Sequence, residues 1–175
     1  MQQRFVPGLA PLSGPSGLDP AVSSALAAAA EDARRLGHHY VTPEHLVLAL
    51  AEQPDELAGR ALQALGVSPE QIRMRIVEHL GTAPPRPDAS LGIAPETKRL
   101  LEHARKLATG LGHRCARTEH VLLAAVSPTL KGPAGDALAA FGAEASRVWD
   151  QLAAMLDMEA PELAARIRKR RRIRR

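Results

Sequence analysis

The sequence predicts an all-α fold made of two tandem four-helix repeats that are related by pseudo-twofold symmetry and share one core. The first observation is a duplication: residues 36–50 contain Leu-Gly-His and Pro-Glu-His before an apolar run, and residues 111–125 repeat this as Leu-Gly-His and Thr-Glu-His. The second is composition, since 45% of the residues are hydrophobic but only 2% are aromatic. Cores of Leu, Ala, Val and Ile favour packed helices over sheets, and a repeat of this length indicates stacked helical units.

Helix start and stop signals divide the first repeat into four segments. Asp19, Thr42 and Ser68 each precede a proline, which combines an N-cap side chain with Pro at the first helical position. Glycines stand where three of the segments end, as expected of left-handed C-terminal caps. We therefore expect helices from Asp19 to Leu36, from Thr42 to Leu50, from Glu56 to Leu65 and from Ser68 to Leu80.

The second repeat follows the same pattern after a proline-rich linker. Repeat one is assigned to residues 18–81, a linker too polar to bury to 82–92, and repeat two to 93–158. We expect the second set of helices over Pro95–Leu111, Thr118–Ala125, Gly135–Phe141 and Ala143–Met158, with 127–135 as the most divergent link. Residues 1–17 are interpreted as a disordered leader, and a short helix is expected over Leu163–Ile167.

The chain has a net charge of +4 that is concentrated at its C-terminal end. The basic tail, residues 159–175, contains eight cationic side chains after position 165, so the rest of the chain carries a net −4. The tail could bind phosphates by charge but has no aromatic side chains for base stacking. The residues concerned are Arg166, Arg168, Lys169, Arg170, Arg171, Arg172, Arg174 and Arg175.

Several functional classes lack support in the sequence. No Gly-Lys pair occurs, so a phosphate-binding P-loop is absent, and no catalytic constellation is recognised, which predicts a non-enzyme without a cofactor. The single cysteine, Cys115, fits a reducing compartment and is expected to be a small buried thiol. No apolar run is long enough for a signal peptide or membrane span. We therefore predict a cytoplasmic protein without membrane contact.

The histidines and two glutamates are the candidate polar groups of the repeats. Metal binding is not predicted, because each close histidine pair straddles a helix start and no zinc motif occurs. The imidazoles are expected to serve caps and loop carbonyls instead. Glu44 and Glu119 occupy equivalent positions, which indicates two copies of one site; the alternative is that each only complements a helix dipole.

The duplicated Leu-Gly-His and Glu-His motifs, with Ala-Leu-x-Ala-Leu-Gly after the first apolar run, resemble the Clp N-terminal repeat domain. Within that family, Arg34-Arg35-Leu36-Gly37-His38 and residues 142–148 look most like the ClpC branch of AAA+ unfoldases. The resemblance covers about Leu18 to Leu156. It implies the double four-helix fold of these domains, and we expect a stand-alone relative that lacks their ATPase ring.

The resemblance also implies ligand-binding positions. Some ClpC domains bind phosphoarginine through the Glu of each Glu-His motif, which corresponds to Glu44–His45 and Glu119–His120 here. The accompanying threonines of the family are replaced by Asp19 and Ala94. Cyclic-peptide antibiotics bind ClpC domains near an aromatic residue, and Ile93 stands at that position.

What the resemblance implies for function is a non-catalytic module that binds proteins within the Clp chaperone and proteolysis system. Such a module would serve as an adaptor, a substrate-recognition domain or a decoy. The alternative is a nucleic-acid-associated regulator whose basic tail binds phosphates while the repeats sense a ligand. These two hypotheses differ in whether partners depend on the tail.

Overall fold

The computed structural model describes residues 17–87 and 90–159, together with Glu162, Ala165, Arg166 and Lys169. Within these residues the chain forms eight helices and a single pair of two-residue strands. In chain order the elements are α1 (Pro20–Arg35), β1 (Tyr40–Val41), α2 (Pro43–Ala51), α3 (Leu57–Ala64), α4 (Pro69–Leu80), β2 (Gly92–Ile93), α5 (Pro95–Leu111), α6 (Thr118–Ala125), α7 (Pro133–Ala140) and α8 (Ala145–Glu159). The predicted all-α class is confirmed.

The helix boundaries follow the cap chemistry closely. Asp19 accepts a hydrogen bond from the Ala21 amide at 3.0 Å, and Ser68 and Gln71 cap each other at the start of α4. Gly37 closes the first helix with φ +74°, as predicted. The start of α7 differs from the prediction: it begins at Pro133, two residues before Gly135, because proline is suited to the first helical position.

The short helices α2 and α6 lie at the centre of the molecule. α2 packs against α1, α3, α4, α5, α6 and α7, and α6 packs against α1, α3, α5 and α8. Residues 46–50 of α2 and 121–125 of α6 are all buried. A helix that is apolar on every side is stable only when neighbours cover all of it, so these two helices form the middle of one shared core.

Each repeat begins by pairing with a loop of the other repeat. Tyr40–Val41 pairs in parallel with Gly92–Ile93, and Leu18 forms a parallel bridge with Ala116. Ala116 lies seventy-five residues after Val41, and Ile93 lies seventy-five residues after Leu18. The two bridges therefore join equivalent positions of the sequence duplication. The start of α5 is thereby placed beside α2, and the start of α1 beside α6.

The end of the predicted linker is more ordered than expected. Leu91 is buried, and Gly92 belongs to β2, because the apolar sequence Leu-Gly-Ile gives this end of the linker a surface to bury. The preceding segment is attached to α1, since the amides of Ala83 and Arg86 donate to the carbonyls of Leu36 and Arg34. The prediction that this linker is unburied is therefore wrong at Leu91.

The remaining predictions concern the ends of the chain and its surroundings. No helix in the described ranges has the length and apolar character that a membrane crossing requires. Cys115 is a free thiol that is only half-buried, so the prediction of a buried thiol is only partly met. The leader up to Ser16 lies outside the described residues, as do Arg168, Arg170, Arg171, Arg172, Arg174 and Arg175 of the tail.

Candidate functional site

A cavity of about 670 Å³ opens between the two repeats next to Glu44. The first turns of α2, α5 and α7 border it, together with the end of α4 and the loop before α7. Helix N-termini carry partial positive charge and amides without intrahelical partners. Its lining residues are Thr42, Pro43, Glu44, His79, Leu80, Glu96, Arg99, Leu100, Ala125, Pro128, Thr129, Leu130, Lys131, Gly132, Pro133, Ala134 and Gly135.

The cavity, which we call the Glu44 cavity, combines an apolar surface with charges of both signs. Glu44 lies in its wall with only 5% of its surface exposed, and its Oε1 is 3.4 Å from Nδ1 of His79. Glu96 and Arg99, one turn apart on α5, form an ion pair at 2.9 Å. A polypeptide segment with apolar and charged side chains matches such a surface, because most of a ligand site is apolar with a few fixed polar groups.

Glu119, the counterpart of Glu44, has a different environment. It is 1% exposed, and neither of its carboxylate oxygens accepts a hydrogen bond from the described residues. Its nearest cation is Arg117, whose Nε lies 3.7 Å from Oε1. Burial raises the pKa of the Glu119 carboxyl, and the negative charges of Asp19 and Glu56 act in the same direction.

The loop before α3 explains why the Glu119 position is closed. Glu56 accepts a hydrogen bond from the Thr118 hydroxyl at 3.4 Å, and Gln53 donates to the carbonyl of Ala21 at 3.3 Å. This loop, residues 52–56, is two residues shorter than the loop 126–132 that borders the Glu44 cavity. The two glutamates therefore occupy equivalent sequence positions in different surroundings: Glu44 lines a large cavity, whereas Glu119 is buried beneath the loop that contains Glu56.

The other predicted ligand positions lie at the two places where the repeats exchange contacts. Asp19 caps α1 and donates its amide to the carbonyl of Ala116, and Ala94 makes the equivalent bond to Val41 at 3.1 Å. Ile93 and Ala94 are both buried, and neither of them lines the Glu44 cavity. The structure thus brings Asp19 towards Glu119, and the first turn of α5 towards Glu44.

His45 and His120 serve as caps at the third position of α2 and α6. Each ring accepts at Nδ1 from a backbone amide, that of Thr42 at 3.1 Å and that of Arg117 at 3.0 Å. Burial lowers the pKa of His45 to about 4 and that of His120 to about 3, with a neighbouring histidine as the second cause in each case. The expectation that imidazoles satisfy caps is confirmed by these contacts.

One group in the described residues has the spacing of a metal site. His113, Glu119 and His120 offer ligand atoms within 4.8 Å of one another. Both ring nitrogens of His120 are already hydrogen-bonded, however, to the Arg117 amide and to Nδ1 of His113 at 2.9 Å. A metal would have to displace one of these bonds, and the Arg117 guanidinium beside Glu119 would oppose its charge.

The described part of the basic tail is attached to repeat two. Nη1 of Arg166 donates to the carbonyl of Leu111 at 3.0 Å, at the end of α5 where carbonyls lack helical partners. Glu162, Ala165, Arg166 and Lys169 have helical backbone, and Lys169 is exposed. Arg166 is therefore engaged within the chain, while Lys169 is available to a partner.

Comparison with known proteins agrees with this architecture. The sequence profile of the Clp repeat (R) N-terminal domain matches residues 18–141. The chain belongs to this family. It is 28% identical over 139 residues to the chloroplastic chaperone protein ClpC of Pisum sativum, covering 79% of this chain and 15% of the relative.

A second relative is the negative regulator of genetic competence ClpC/MecB of Bacillus subtilis strain 168, which is 33% identical over 98 residues, or 56% of this chain and 12% of the relative. The chain thus spans less than a sixth of the length of these relatives. Among solved structures, a ClpV N-domain in complex with a VipB peptide superposes with a TM-score of 0.58 and 20% identity, covering 81% of this chain and 86% of the other. Clp N-domains are non-catalytic domains that bind proteins.

Sequence reasoning identified Glu44 but missed the rest of its cavity. His79, Leu80, Arg99 and Lys131 were not singled out, because they come from three separate elements that meet only in the folded chain. The one available signal was the divergence of residues 127–135 between the repeats. This loop lines the cavity, so the segment in which the two repeats differ most in sequence is the segment that borders the candidate site.

Proposed function

We propose that this chain is a non-catalytic protein-binding module of the Clp system that holds a segment of a partner polypeptide in the Glu44 cavity. The observation that carries the proposal is the cavity itself, which lies between the repeats and joins apolar walls to charged groups at the starts of α2 and α5 and in the loop before α7. Its role would be that of an adaptor, a substrate-recognition domain or a decoy for Clp components. Cytoplasmic localisation stays a prediction that accompanies this role.

Family membership supports a protein as the partner. A ClpV N-domain has been solved in complex with a VipB peptide, and that domain shares the fold of this chain. A volume of about 670 Å³ is within the range that small ligands and side-chain clusters occupy.

The contrast between the two glutamates makes the proposal specific. Glu44 borders the cavity and can meet a cationic group of a partner, whereas Glu119 is closed off by the loop that contains Glu56. At the two positions where the family resemblance implies a threonine for phosphoarginine binding, this chain has Asp19 and Ala94. Ala94 supplies no hydroxyl, and the carboxylate of Asp19 would repel a phosphate.

The test is affinity capture from the native lysate with two forms of the protein, each with and without nuclease. One form is the full chain and the other ends at Ile167, which keeps the contact of Arg166 with Leu111. The proposal predicts that Clp components or a defined substrate set bind both forms after nuclease treatment. Ribosomal or DNA-associated partners that disappear with the tail or with nuclease would support the nucleic-acid alternative instead.

A further inference from the structure

Two histidines connect the start of α2 to the end of α4 through a continuous chain of hydrogen bonds. Nδ1 of His45 lies 3.1 Å from the amide nitrogen of Thr42, and Nε2 of His45 lies 2.9 Å from Nδ1 of His38. Nε2 of His38 lies 3.0 Å from the carbonyl oxygen of Gly81. The two rings are in an edge-to-face arrangement with centroids 5.0 Å apart.

The two ends of this chain determine where every proton lies. The Thr42 amide can only donate, so Nδ1 of His45 accepts and its Nε2 carries the hydrogen of the neutral ring. That hydrogen is donated to Nδ1 of His38, whose own hydrogen is therefore on Nε2 and is donated to the Gly81 carbonyl, which can only accept. All three bonds are satisfied at once only when both rings are neutral and both carry the hydrogen on Nε2.

The segments joined in this way are neighbouring parts of the lining of the Glu44 cavity. Thr42 and Glu44 stand at the start of α2, and His79 and Leu80 form the last turn of α4 immediately before Gly81. We propose that His38, which lies outside the cavity lining, is a positioning residue that holds the end of α4 against the start of α2 and so sets the shape of the cavity. Its importance for partner binding rests on the proposed function, but its effect on the cavity walls does not.

Repeat two contains the same histidine pair without the last bond. Nε2 of His120 lies 2.9 Å from Nδ1 of His113, and the rings are again edge to face. For Nε2 of His113 the described residues show no carbonyl partner, and this pair borders the closed position around Glu119. Within the described residues the histidine pair is thus common to both repeats, while a bond from the pair to the end of a fourth helix is seen in the repeat with the cavity.

The experiment compares His38→Phe with His113→Phe by hydrogen–deuterium exchange of the unliganded full chain, measured by mass spectrometry. Both substitutions keep a planar ring. The His38 variant removes the acceptor for the His45 N–H, and the His113 variant removes the acceptor for the His120 N–H, so each variant loses the same hydrogen bond within its histidine pair. We expect exchange over residues 78–83 to become about fivefold faster in the His38 variant, the ratio given by loss of one typical hydrogen bond, and to stay at the wild-type rate in the His113 variant. Unchanged exchange in the His38 variant, or an equal increase in both, would overturn the proposal.

A second measurement uses the wild-type protein and does not depend on either variant folding. Long-range ¹H–¹⁵N spectra at pH 7 distinguish the two neutral tautomers and the charged ring of histidine. The proposal predicts the Nε2–H tautomer for both His38 and His45, with coupling across the bond between them. A charged His38, or a hydrogen on its Nδ1, would break the chain and refute the proposal, whereas failure of wild-type protein to capture any partner would refute only the proposed function.

Discussion

Acid should destabilise this protein through the two buried capping histidines. In the folded chain the pKa of His45 is lowered to about 4 and that of His120 to about 3, chiefly by burial. In the unfolded chain both return to about 6.5. At pH values between the folded and the unfolded pKa, the unfolded state binds more protons than the folded state. The contribution of each histidine to the free energy of unfolding is therefore fully present above about pH 6.5 and is lost as the pH falls towards the folded pKa.

The magnitude follows from the difference in protonation. Lowering the pH from 7 to 5 decreases the free energy of unfolding by about 2 kcal/mol for each histidine, since the unfolded ring becomes almost fully charged while the folded ring stays neutral. This decrease in the free energy of unfolding changes little for any folded pKa below about 4.5. Glu119 acts in the opposite direction, because a raised pKa favours the folded state as the carboxyl becomes protonated.

Glutamine variants separate the histidine contribution from all other groups. Gln71 already caps α4 by accepting from the Ser68 amide at 2.8 Å, so His45→Gln and His120→Gln can keep the cap without a titrating ring. Urea unfolding at pH 7 and pH 5 should show that wild type loses about 2 kcal/mol more than either variant and about 4 kcal/mol more than the double variant. Equal losses in wild type and double variant would refute the claim that these rings are buried neutral.

Three further predictions concern the packing of the repeats. Gly59→Ala should lower the free energy of unfolding by about 2 kcal/mol or more, since an added Cβ would lie 2.1 Å from the carbonyl oxygen of Gln53; a stability within 0.5 kcal/mol of wild type in urea would show that the loop yields freely. Leu101→Ala should cost about 2–5 kcal/mol in thermal or urea unfolding, because Leu101 is fully buried in the shared core, and a loss below about 1 kcal/mol would contradict that burial. Ser68→Ala should cost about 1 kcal/mol by removing the acceptor for the Gln71 amide, and an unchanged unfolding midpoint would show that the cap contributes nothing.

The helices could be predicted from the sequence, but the contacts between the two repeats could not. Proline after Asp19, Thr42 and Ser68 located three helix starts, because capping is a local property of a few residues. Pairing of Tyr40–Val41 with Gly92–Ile93 was not predicted, since a two-residue strand has no periodicity of its own. Such a strand exists only because tertiary packing brings two extended segments together.

The candidate site shows the same division between local and tertiary information. The duplicated Glu-His motif identified Glu44 and Glu119, but the duplication also predicted that the two positions would be alike. Their difference arises from the loops before α3 and α7, which come from outside the motif and differ by two residues in length. Which glutamate faces a cavity is therefore decided by segments whose sequences carry no shared signal.

The central claim is that partners bind at the Glu44 cavity and not at its closed counterpart. Affinity capture from the native lysate with wild type, Glu44→Gln and Glu119→Gln, each verified as folded by circular dichroism, tests this claim most directly. The account predicts that the partners retained by wild type are lost or strongly reduced with Glu44→Gln and kept with Glu119→Gln. Retention by Glu44→Gln, or equal loss with both variants, would contradict it.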